Sequence, residues 1–207
     1  MIAVKVKICG ITTLEDALAA IDCGADLLGF NFYPESKRFV TPQHAREIID
    51  KLPTFVDTVG VFVNAEPEHV SKVARECFLN WVQLHGEETP EYCDSLRWIS
   101  SKLIKAIRVK DASDIEQAAK FHIDAILFDA FHPDEYGGTG QKFDWSMIRR
   151  TRSRVFLAGG ITPENAVEAV EVGVYGIDLC SGIESAPGKK DPGKMKKLFE
   201  NIKHVRG

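Results

Sequence analysis

Two short turns rich in small residues, at 157–163 and 178–183, have the composition of a phosphate site. The first reads Leu157-Ala-Gly-Gly-Ile-Thr-Pro163 and the second reads Asp178-Leu-Cys-Ser-Gly-Ile183, and each follows an apolar run and leads towards a predicted helix. Backbone N–H groups and helix N-termini at such turns attract a phosphate dianion. The predicted phosphate-binding residues here are Gly159, Gly160, Cys180, Ser181 and Gly182.

A thiol and a carboxyl group stand at the ends of two other apolar runs. Cys9 is followed by Gly10 and a predicted helix, whose N-terminal dipole would favour the thiolate. Asp129 ends the apolar run 125–129, where burial makes ionisation costly and suits the group to donate a proton. The two residues predict one base and one acid acting on the same substrate. The alternatives are a cysteine that only packs and an aspartate that only caps the next loop.

Three further side chains are candidates for substrate binding. Arg38 lies in a polar loop, where a guanidinium can bind a planar carboxylate bidentately or simply remain a solvated charge. His85 ends an apolar run, and it either contacts substrate or is a hydrogen-bonded structural histidine. Asp178 also lies at a predicted strand end. Gly140, in the glycine-rich loop 136–140, either adds an N–H group to the phosphate site or permits a long turn.

The composition limits the kinds of protein that the chain can be. The 207 residues are 44% hydrophobic and 27% charged, with a net charge of -4, which is typical of a globular domain and gives no electrostatic support for binding nucleic acid or a membrane surface. The five cysteines contain no C-x-x-C pair, so neither a disulfide framework nor a metal site is predicted. Residues 1–9 contain no apolar targeting segment, and no apolar stretch approaches the ~18 residues of a membrane span. We expect a cytoplasmic protein.

Eight short apolar runs alternate with helix-period segments. Several helices are predicted to begin at a capping residue followed by proline, as at Thr41-Pro42, Thr89-Pro90, Thr162-Pro163 and Asp191-Pro192. Thr12 with Glu15 predicts a capping box, and Asp111 is the predicted cap of a helix over 112–121. The predicted strands are Val4–Cys9, Leu27–Phe32, Val56–Val63, Trp81–Leu84, Leu103–Arg108, Ala125–Asp129, Arg154–Ala158 and Gly176–Leu179.

This alternation predicts an α/β fold in which residues 1–207 form a single (β/α)8 TIM barrel domain. An internal repeat supports it, because 15–24 resembles 164–173 and Gly-Ile-Thr precedes each segment. The alternative is an open doubly wound sheet, but the G-x-G-x-x-G turn of that fold is missing. In a barrel, the phosphate site commonly lies after strands seven and eight, which is where both glycine turns fall.

The chain resembles the phosphoribosylanthranilate isomerase family of tryptophan biosynthesis over essentially its whole length. The matching motifs are Lys7-Ile-Cys-Gly-Ile-Thr12, Phe32-Tyr-Pro-Glu-Ser-Lys-Arg38, Val59-Gly-Val-Phe-Val-Asn64, Val82-Gln-Leu-His-Gly-Glu87, the Asp129 strand, Tyr136-Gly-Gly-Thr-Gly140, Phe143-Asp-Trp145, Gly159-Gly160, Ser181-Gly182 and Pro187-Gly-Lys-Lys-Asp191. One position departs from the family pattern, since Cys180 stands where serine or asparagine is common.

The resemblance implies an Amadori rearrangement of N-(5-phosphoribosyl)anthranilate to 1-(2-carboxyphenylamino)-1-deoxyribulose 5-phosphate. Asp129 would be the general acid that opens the sugar ring, and Cys9 the general base that removes the proton from sugar C2. Arg38 would hold the anthranilate carboxylate. Neither a cofactor nor a metal is required, because the imine serves as the electron sink.

Other functions remain open at this point. A histidine-pathway phosphoribosyl isomerase would use aspartates at strands one and five, where this chain has Cys9 and the region of Arg108. A Schiff-base aldolase needs a lysine at an inner strand end, and Lys105 in strand five is not at its end. A non-catalytic phosphoribosyl-binding barrel would need the glycine turns alone. The predicted partner is a small phosphosugar, and the chain could be a monomer or a homodimer.

Overall fold

The fold is a closed barrel of eight parallel strands. The computed structural model describes residues 3–130, 143–148 and 154–206. The barrel strands, in order around the barrel, are β1 (Lys5–Cys9), β2 (Leu27–Asn31), β3 (Asp57–Phe62), β4 (Trp81–Leu84), β5 (Lys102–Val109), β6 (Ala125–Ala130), β7 (Arg154–Leu157) and β8 (Gly176–Leu179). β1 pairs with both β2 and β8, which closes the sheet. The predicted TIM barrel is therefore confirmed, and the open-sheet alternative is wrong.

Helices follow most of the strands and cover the outside of the barrel. They are α1 (Leu14–Cys23), α2 (Pro42–Ile49), α3 (Pro67–Glu76), α4 (Pro90–Ser95), α5 (Ala112–Gln117), α6 (Ala166–Glu171) and α7 (Pro192–Ile202). Single turns of 3-10 helix occupy Ala118–Lys120, Trp145–Met147 and Ser181–Ile183. A short antiparallel hairpin, β9 (Glu184–Ala186) with β10 (Lys189–Lys190), precedes α7. Among the helices of residues 3–130, 143–148 and 154–206, none has the length and apolar character needed to cross a membrane.

Most of the predicted helix starts are confirmed. The side chains of Thr41, Thr89 and Asp191 each accept a backbone hydrogen bond from the first turn of a helix that begins with proline. Asp111 caps α5 in the same way, although α5 ends at Gln117 and a 3-10 turn continues the chain.

Two predicted starts are displaced. Thr13, and not Thr12, caps α1, because its hydroxyl accepts from the N–H of Asp16 at 3.1 Å. The hydroxyl of Thr12 instead donates to the carbonyl of Gly188 at 2.5 Å, a contact between distant segments that local spacing does not reveal.

The helix predicted to begin at Thr162-Pro163 begins at Ala166, with Asn165 as its N-cap. The Asn165 amide bonds back into the preceding turn, accepting from Thr162 N at 2.8 Å and donating to Gly160 O at 2.9 Å. These bonds hold residues 160–165 as a turn and delay the helix.

The barrel interior has two levels of different character. The apolar layer fills the lower part and consists of Leu27, Val59, Trp81, Ile104, Ala106, Ala125, Leu127, Phe156 and Ala158. The polar layer lies nearer the carboxyl ends of the strands and consists of Lys7, Gln83, His85, Asp129 and Asp178, all buried. A separate, larger apolar core lies between the sheet and the helices. The strands therefore present their polar inward-facing residues at one end of the barrel.

Candidate active site

The predicted site residues meet in one cavity at the carboxyl ends of the barrel strands. This is the end at which TIM barrels carry their active sites. The cavity is lined by Cys9, Arg38, His85, Asp129, Gly159, Gly160, Asp178, Cys180, Ser181 and Gly182. Gly140, the remaining predicted residue, lies outside the described part of the chain.

Cys9 ends β1 and is partly exposed in the cavity. The pKa of its thiol lies well below the usual value, first because the Cys180 thiol donates a hydrogen bond to the Cys9 thiolate. Burial opposes this effect, and the ammonium groups of Lys7 and Lys190 reinforce it. Cys180 shows the opposite shift, since the same hydrogen bond and burial raise the pKa of its thiol. Of the two cysteines, Cys9 is therefore the one whose surroundings favour the thiolate.

The low pKa of Cys9 has a different cause from the one that the sequence predicts. The sequence assigns it to the dipole of the following helix, but α1 begins only at Leu14, five residues after Cys9. The nearby charges and the second thiol come instead from β1 itself, from the end of β8 and from β10. A cation also lies near each of the other three cysteines, but burial outweighs its effect: burial raises the pKa of Cys77 and of Cys93 to about 11 and raises that of Cys23.

A chain of polar contacts crosses the polar layer and ends at Asp129. Lys7 Nζ donates to Asp178 Oδ2 at 2.9 Å and to Gln83 Oε1 at 2.8 Å. Gln83 Nε2 lies 2.7 Å from His85 Nδ1. His85 Nε2 lies 3.3 Å from Asp129 Oδ2. Asp129 Oδ1 accepts from the N–H of Ala130 at 2.8 Å, which fixes the orientation of the carboxyl group.

These contacts define which nitrogen of His85 carries the proton. Because the oxygen of the Gln83 amide accepts from Lys7, its NH2 group must face His85 and donate to Nδ1. Nδ1 is then the acceptor, and the proton of the neutral ring lies on Nε2, facing Asp129. Among the described residues Nε2 makes no aligned hydrogen bond, so its 3.3 Å approach to Oδ2 is a contact of poor geometry. A small movement of either side chain would complete it.

Lys7 and Asp178 form a buried ion pair beneath the cavity. Burial opposes the charge of Lys7, but Asp178 and the Cys9 thiolate outweigh it and raise the pKa of the ammonium above its usual value. Burial raises the pKa of Asp178 to about 7 against the opposing effect of Lys7, and the Cys9 thiolate adds to the rise. The second oxygen, Oδ1, is buried and has no hydrogen-bond partner among the described residues. Asp178 therefore offers an acceptor at the cavity wall.

Arg38 reaches the cavity from the loop after β2 and is held by Glu184 of β9. Its Nε lies 3.0 Å from Glu184 Oε1, and its Nη2 lies 2.7 Å from Oε2. Lys190 of β10 also contacts Glu184 Oε1, at 2.8 Å. Burial favours the neutral carboxyl, but the bond from Arg38 and the charge of Lys190 together hold the pKa of Glu184 below its usual value. Glu184 occupies Nε and Nη2, which leaves Nη1 as the guanidinium nitrogen outside this pair.

The two glycine turns lie against each other, as the sequence predicts. A Cβ atom added to Gly182 would lie 2.0 Å from the carbonyl oxygen of Ile161, so only glycine fits between the turns. Gly159 and Gly160 adopt positive φ angles of 84° and 66°. At Gly159 an added Cβ would also lie 2.6 Å from Ala130 N. Glycine at these positions allows a tight backbone surface that a side chain would obstruct.

One part of the predicted phosphate site has a different structure. The second turn leads into the 3-10 turn Ser181–Ile183 and then the β9–β10 hairpin, and α7 begins only at Pro192. The first turn leads to α6 through residues 163–165. The phosphate site would therefore depend on backbone N–H groups of tight turns and less on a helix directly following each turn.

The sequence does not single out some of the described residues that contact the predicted site residues or support those contacts, namely Lys7, Gln83, Glu184 and Lys190. Lys7 carries a usable signal, because it lies two residues before Cys9 in a buried strand and so points to the same side. Gln83 has the same relation to His85. Glu184 and Lys190 belong to the hairpin that follows the second turn, and their spacing to Arg38 gives no local signal. Among the described residues, no group of three or more His, Cys, Asp and Glu side chains is placed to hold a metal ion.

Lys105, the lysine considered for a Schiff-base enzyme, lies outside the cavity. Its Nζ donates to the carbonyl of Gly86 and contacts Glu88 Oε2, each at 2.7 Å. The ammonium holds the loop after β4 in place. Its contacts give no support to the aldolase alternative.

Comparisons with known proteins identify the family of the chain. Residues 6–201 match the family described as N-(5'phosphoribosyl)anthranilate (PRA) isomerase. An N-(5'-phosphoribosyl)anthranilate isomerase of Trichlorobacter lovleyi is 48% identical over 206 residues, which are 98% of this chain and 99% of that protein.

Two crystal structures are similar over nearly the whole chain. A phosphoribosyl anthranilate isomerase from Thermus thermophilus has a TM-score of 0.90 at 40% identity, covering 98% of this chain and 100% of that one. A phosphoribosyl anthranilate isomerase in complex with reduced 1-(O-carboxyphenylamino)-1-deoxyribulose 5-phosphate has a TM-score of 0.83 at 42% identity, covering 97% and 99%. The chain belongs to the N-(5'-phosphoribosyl)anthranilate isomerase family.

Proposed function

We propose that this chain catalyses the Amadori rearrangement of N-(5-phosphoribosyl)anthranilate, with Cys9 as general base and Asp129 as general acid. Family membership indicates an isomerase of tryptophan biosynthesis, and the proposal adds the roles of individual residues. The observation that carries it is the shared cavity, in which a stabilised thiolate and an oriented carboxyl group stand beside the glycine turns. The complex of the related isomerase with a reduced product analogue supports the same substrate class.

Asp129 acts first, by protonating the ring oxygen of the furanose. The C1–O bond then breaks, and the nitrogen lone pair forms a C1=N bond, so the sugar opens to a Schiff base. His85 supports this step, because its Nε2 proton faces Asp129 Oδ2 and can stabilise the carboxylate that remains. The contacts from Lys7 through Gln83 hold the imidazole in the tautomer required.

Cys9 acts second, by taking the proton from sugar C2. The electron pair of the C2–H bond moves towards the protonated imine, which forms an enolamine and neutralises the nitrogen. The enolamine gains a proton at C1 and loses one from the C2 hydroxyl, which gives the ketose product. Lys7 and Lys190 support this step because they favour the thiolate in a site where burial opposes it.

The ends of the substrate are held by different parts of the cavity. Arg38 binds the anthranilate carboxylate through Nη1, while Glu184 keeps the guanidinium in place. The phosphate lies against the backbone of Gly159, Gly160 and the segment 180–182, with Gly140 as a further proposed ligand. Asp178 Oδ1 accepts from a sugar hydroxyl, which satisfies its unused lone pairs. The sugar carbons then lie between base and acid.

Some features of the enzyme remain predictions. A Thermotoga maritima phosphoribosylanthranilate isomerase, 42% identical, is described as dimeric, and this chain remains either a monomer or a homodimer. The cytoplasmic location and the assignment of residues 1–207 to one domain remain predictions from the sequence.

The proposal is tested by measuring loss of phosphoribosylanthranilate with the purified protein and two variants. Cys9→Ala and Asp129→Asn are each expected to lower kcat by about 10²- to 10⁴-fold, the usual contribution of acid–base catalysis. Cys23→Ser, which changes a cysteine at the end of α1, is the matched control and should retain activity. Normal turnover by both active-site variants would exclude the mechanism. Calorimetry showing phosphate-ester binding without turnover would favour a non-catalytic barrel.

A further inference from the structure

We propose that the cavity holds an oxidation site, in which Cys9 and Cys180 form a reversible disulfide when a peroxide reaches the enzyme. Disulfide formation depends only on the two cysteines and their surroundings. Its effect on turnover rests on the proposed role of Cys9 as the base. The two claims can therefore fail separately.

The strand register brings the two cysteines together. β1 and β8 are adjacent and parallel, and their last registered pair is Ile8 with Leu179, so that Cys9 and Cys180 are the next residues on each side. Neighbouring strands lie about 4.8 Å apart. Disulfide-bonded cysteines have Cα atoms roughly 4.4–6.8 Å apart, and the expected separation falls in that range.

The two side chains also point to the same side. Lys7 and Asp178 are registered with each other and form their ion pair inside the barrel. Because side chains alternate along a strand, Cys9 and Cys180, two residues further on, face the interior as well. Both cysteines line the same cavity and both are partly exposed, and Cys180 Sγ lies 4.0 Å from Nζ of Lys190, one of the two ammonium groups that favour the Cys9 thiolate. A Cβ added to Gly10 would lie 3.1 Å from Cys180 Sγ, which places that sulfur close to the end of β1.

The surroundings make Cys9 the thiol that a peroxide attacks. A thiolate is the reactive form, and Lys7, Lys190 and the Cys180 thiol all lower the pKa of Cys9. Burial raises the pKa of Cys23, Cys77 and Cys93, which keeps those thiols protonated. Cys180 is protonated in the reduced enzyme for a different reason, namely its bond to the Cys9 thiolate.

The reaction has two steps that balance with hydrogen peroxide as the oxidant. The Cys9 thiolate attacks one peroxide oxygen, the O–O bond breaks, and hydroxide leaves and is protonated to water, so that Cys9 becomes a sulfenic acid. Cys9 then carries no negative charge, which removes the main effect that keeps Cys180 protonated. The Cys180 sulfur attacks the Cys9 sulfur, the S–O bond breaks, and the oxygen leaves as water with the proton of Cys180.

The disulfide would protect the enzyme as well as stop it. While it is present, Cys9 has no thiolate to act as the base, because a disulfide sulfur does not accept a proton from carbon, so turnover stops. A dithiol restores both thiols by exchange. Without Cys180, the sulfenic acid would be open to a second peroxide, which gives a sulfinic acid that thiols do not reverse. The cysteine at position 180 therefore converts an irreversible loss into a reversible one.

Peptide mapping after peroxide treatment of the folded enzyme tests the bond directly. Trypsin leaves Cys9 and Cys23 in one peptide, 8–37, and Cys180 in another, 155–189. The Cys23→Ser variant is therefore the protein to map, since it makes the linkage unambiguous. The expected product is the two peptides joined, with the mass of two hydrogens lost, and separated by dithiothreitol. Linkage to a different cysteine, or no linkage while Cys9 accumulates as sulfinic acid, would overturn the proposal.

Activity measurements on Cys180→Ser add a second readout. Each protein is compared with its own activity before oxidation, so that an effect of the substitution on substrate binding does not enter. The parent enzyme should lose at least about 90% of its activity under peroxide and recover it with dithiothreitol, whereas Cys180→Ser should lose it without recovery. Equal recovery by the two proteins would contradict a role for Cys180.

The outcomes distinguish this proposal from the proposed function. A disulfide between Cys9 and Cys180 that leaves turnover intact would support the oxidation site and refute Cys9 as the base. Loss of turnover in Cys9→Ala without a disulfide in the oxidised enzyme would support the mechanism and refute the oxidation site.

Discussion

The apolar layer and the polar layer are built by the same strands with the same alternation of side chains. Burial of their inward-facing residues nevertheless has opposite effects on the stability of the barrel. In the apolar layer, Trp81 and Phe156 meet edge to face with ring centroids 6.4 Å apart, and burial of such surface favours folding. In the polar layer, Lys7, Asp178 and Asp129 are equally removed from water, and burying charge opposes folding unless each group is paired. The difference indicates that burial in the apolar layer stabilises the barrel and offsets the free-energy cost of burying the ionisable groups that the chemistry requires.

Strand β6 allows the largest expected effect to be isolated, because it contributes Asp129 to the polar layer and Leu127 to the apolar layer. Asp129→Asn keeps the shape and the bond from Ala130 but removes the acid, so kcat should fall by about 10²- to 10⁴-fold. The free energy of unfolding should change by less than about 1 kcal/mol. Steady-state kinetics and urea unfolding on the same preparation measure both. A large loss of stability would show that Asp129 is structural.

The buried ion pair should give the next largest effect, through Lys7→Met. Removing Lys7 leaves Asp178 buried without its cation, which costs roughly 3–5 kcal/mol when the carboxylate is charged. The pKa of Asp178 is already raised to about 7, and loss of Lys7 raises it further. Below about pH 5 the folded carboxyl is therefore neutral in both proteins, so the loss in unfolding free energy should be small there and should grow as pH rises past 7.

Lys5→Met is the matched control for that measurement. Lys5 lies on the same strand and pairs with Asp26 at 3.0 Å, but its side chain is 39% exposed. Loss of such a pair should cost about 1 kcal/mol or less. Two results would contradict the view that burying the charges of the polar layer opposes folding. One is an equal loss of unfolding free energy in Lys5→Met and Lys7→Met, and the other is a loss in Lys7→Met that does not depend on pH.

Leu127→Ala tests the other layer. Leu127 is fully buried, so its truncation should lower the free energy of unfolding by about 2–5 kcal/mol. The kcat of the fraction that remains folded should stay near that of the parent. Leu18→Ala, on the 40% exposed Leu18 of α1, makes the same chemical change and should cost about 1 kcal/mol or less. The comparison fails if Leu127→Ala lowers kcat as strongly as Asp129→Asn does.

The smallest expected effect concerns the pH at which turnover falls off in acid. Since the base must be a thiolate, kcat/KM should decrease as pH falls through the pKa of Cys9. Lys7 and, to a smaller extent, Lys190 lower that pKa, so removing either should move the acidic limb of the pH–rate profile, where kcat/KM falls, to higher pH. We expect about one unit or more for Lys7→Met, and less for Lys190→Met, from pH–rate profiles. A limb that stays in place in both variants would argue against Cys9 as the base.

The parts of the structure that the sequence predicts well are those set by local pattern. Alternation of apolar runs with capped helices predicts the barrel, and Trp81–Leu84 and Gly176–Leu179 are predicted with the bounds that the structure has. Competition between hydrogen bonds, one of them long-range, explains the two displaced helix starts. Thr13 caps α1 because Thr12 is used elsewhere, and Asn165 displaces the start of α6 because its amide bonds to the turn before it.

The residues of the candidate site also fall into two groups, those that the local sequence identifies and those that only long-range contacts bring to the site. Cys9, Asp129, Arg38, His85 and Asp178 could be identified because a strand end in a barrel is a position that the sequence marks. Glu184 could not, because its partner Arg38 is 146 residues away. Lys190 is similarly joined to the site only by the return of the hairpin to the barrel mouth.

The sequence by itself determined the barrel, the glycine turns and the identities of a thiol and a carboxyl group at strand ends, because these depend on spacing within single strand–helix units. Only the tertiary structure decided the state of those groups. Closure of the barrel by β1 and β8 sets Cys9 beside Cys180 and Lys7 beside Asp178, pairs separated by 171 residues in the chain. The charge on Cys9 depends on those neighbours, since electrostatic effects and desolvation follow distance in space and not separation along the sequence.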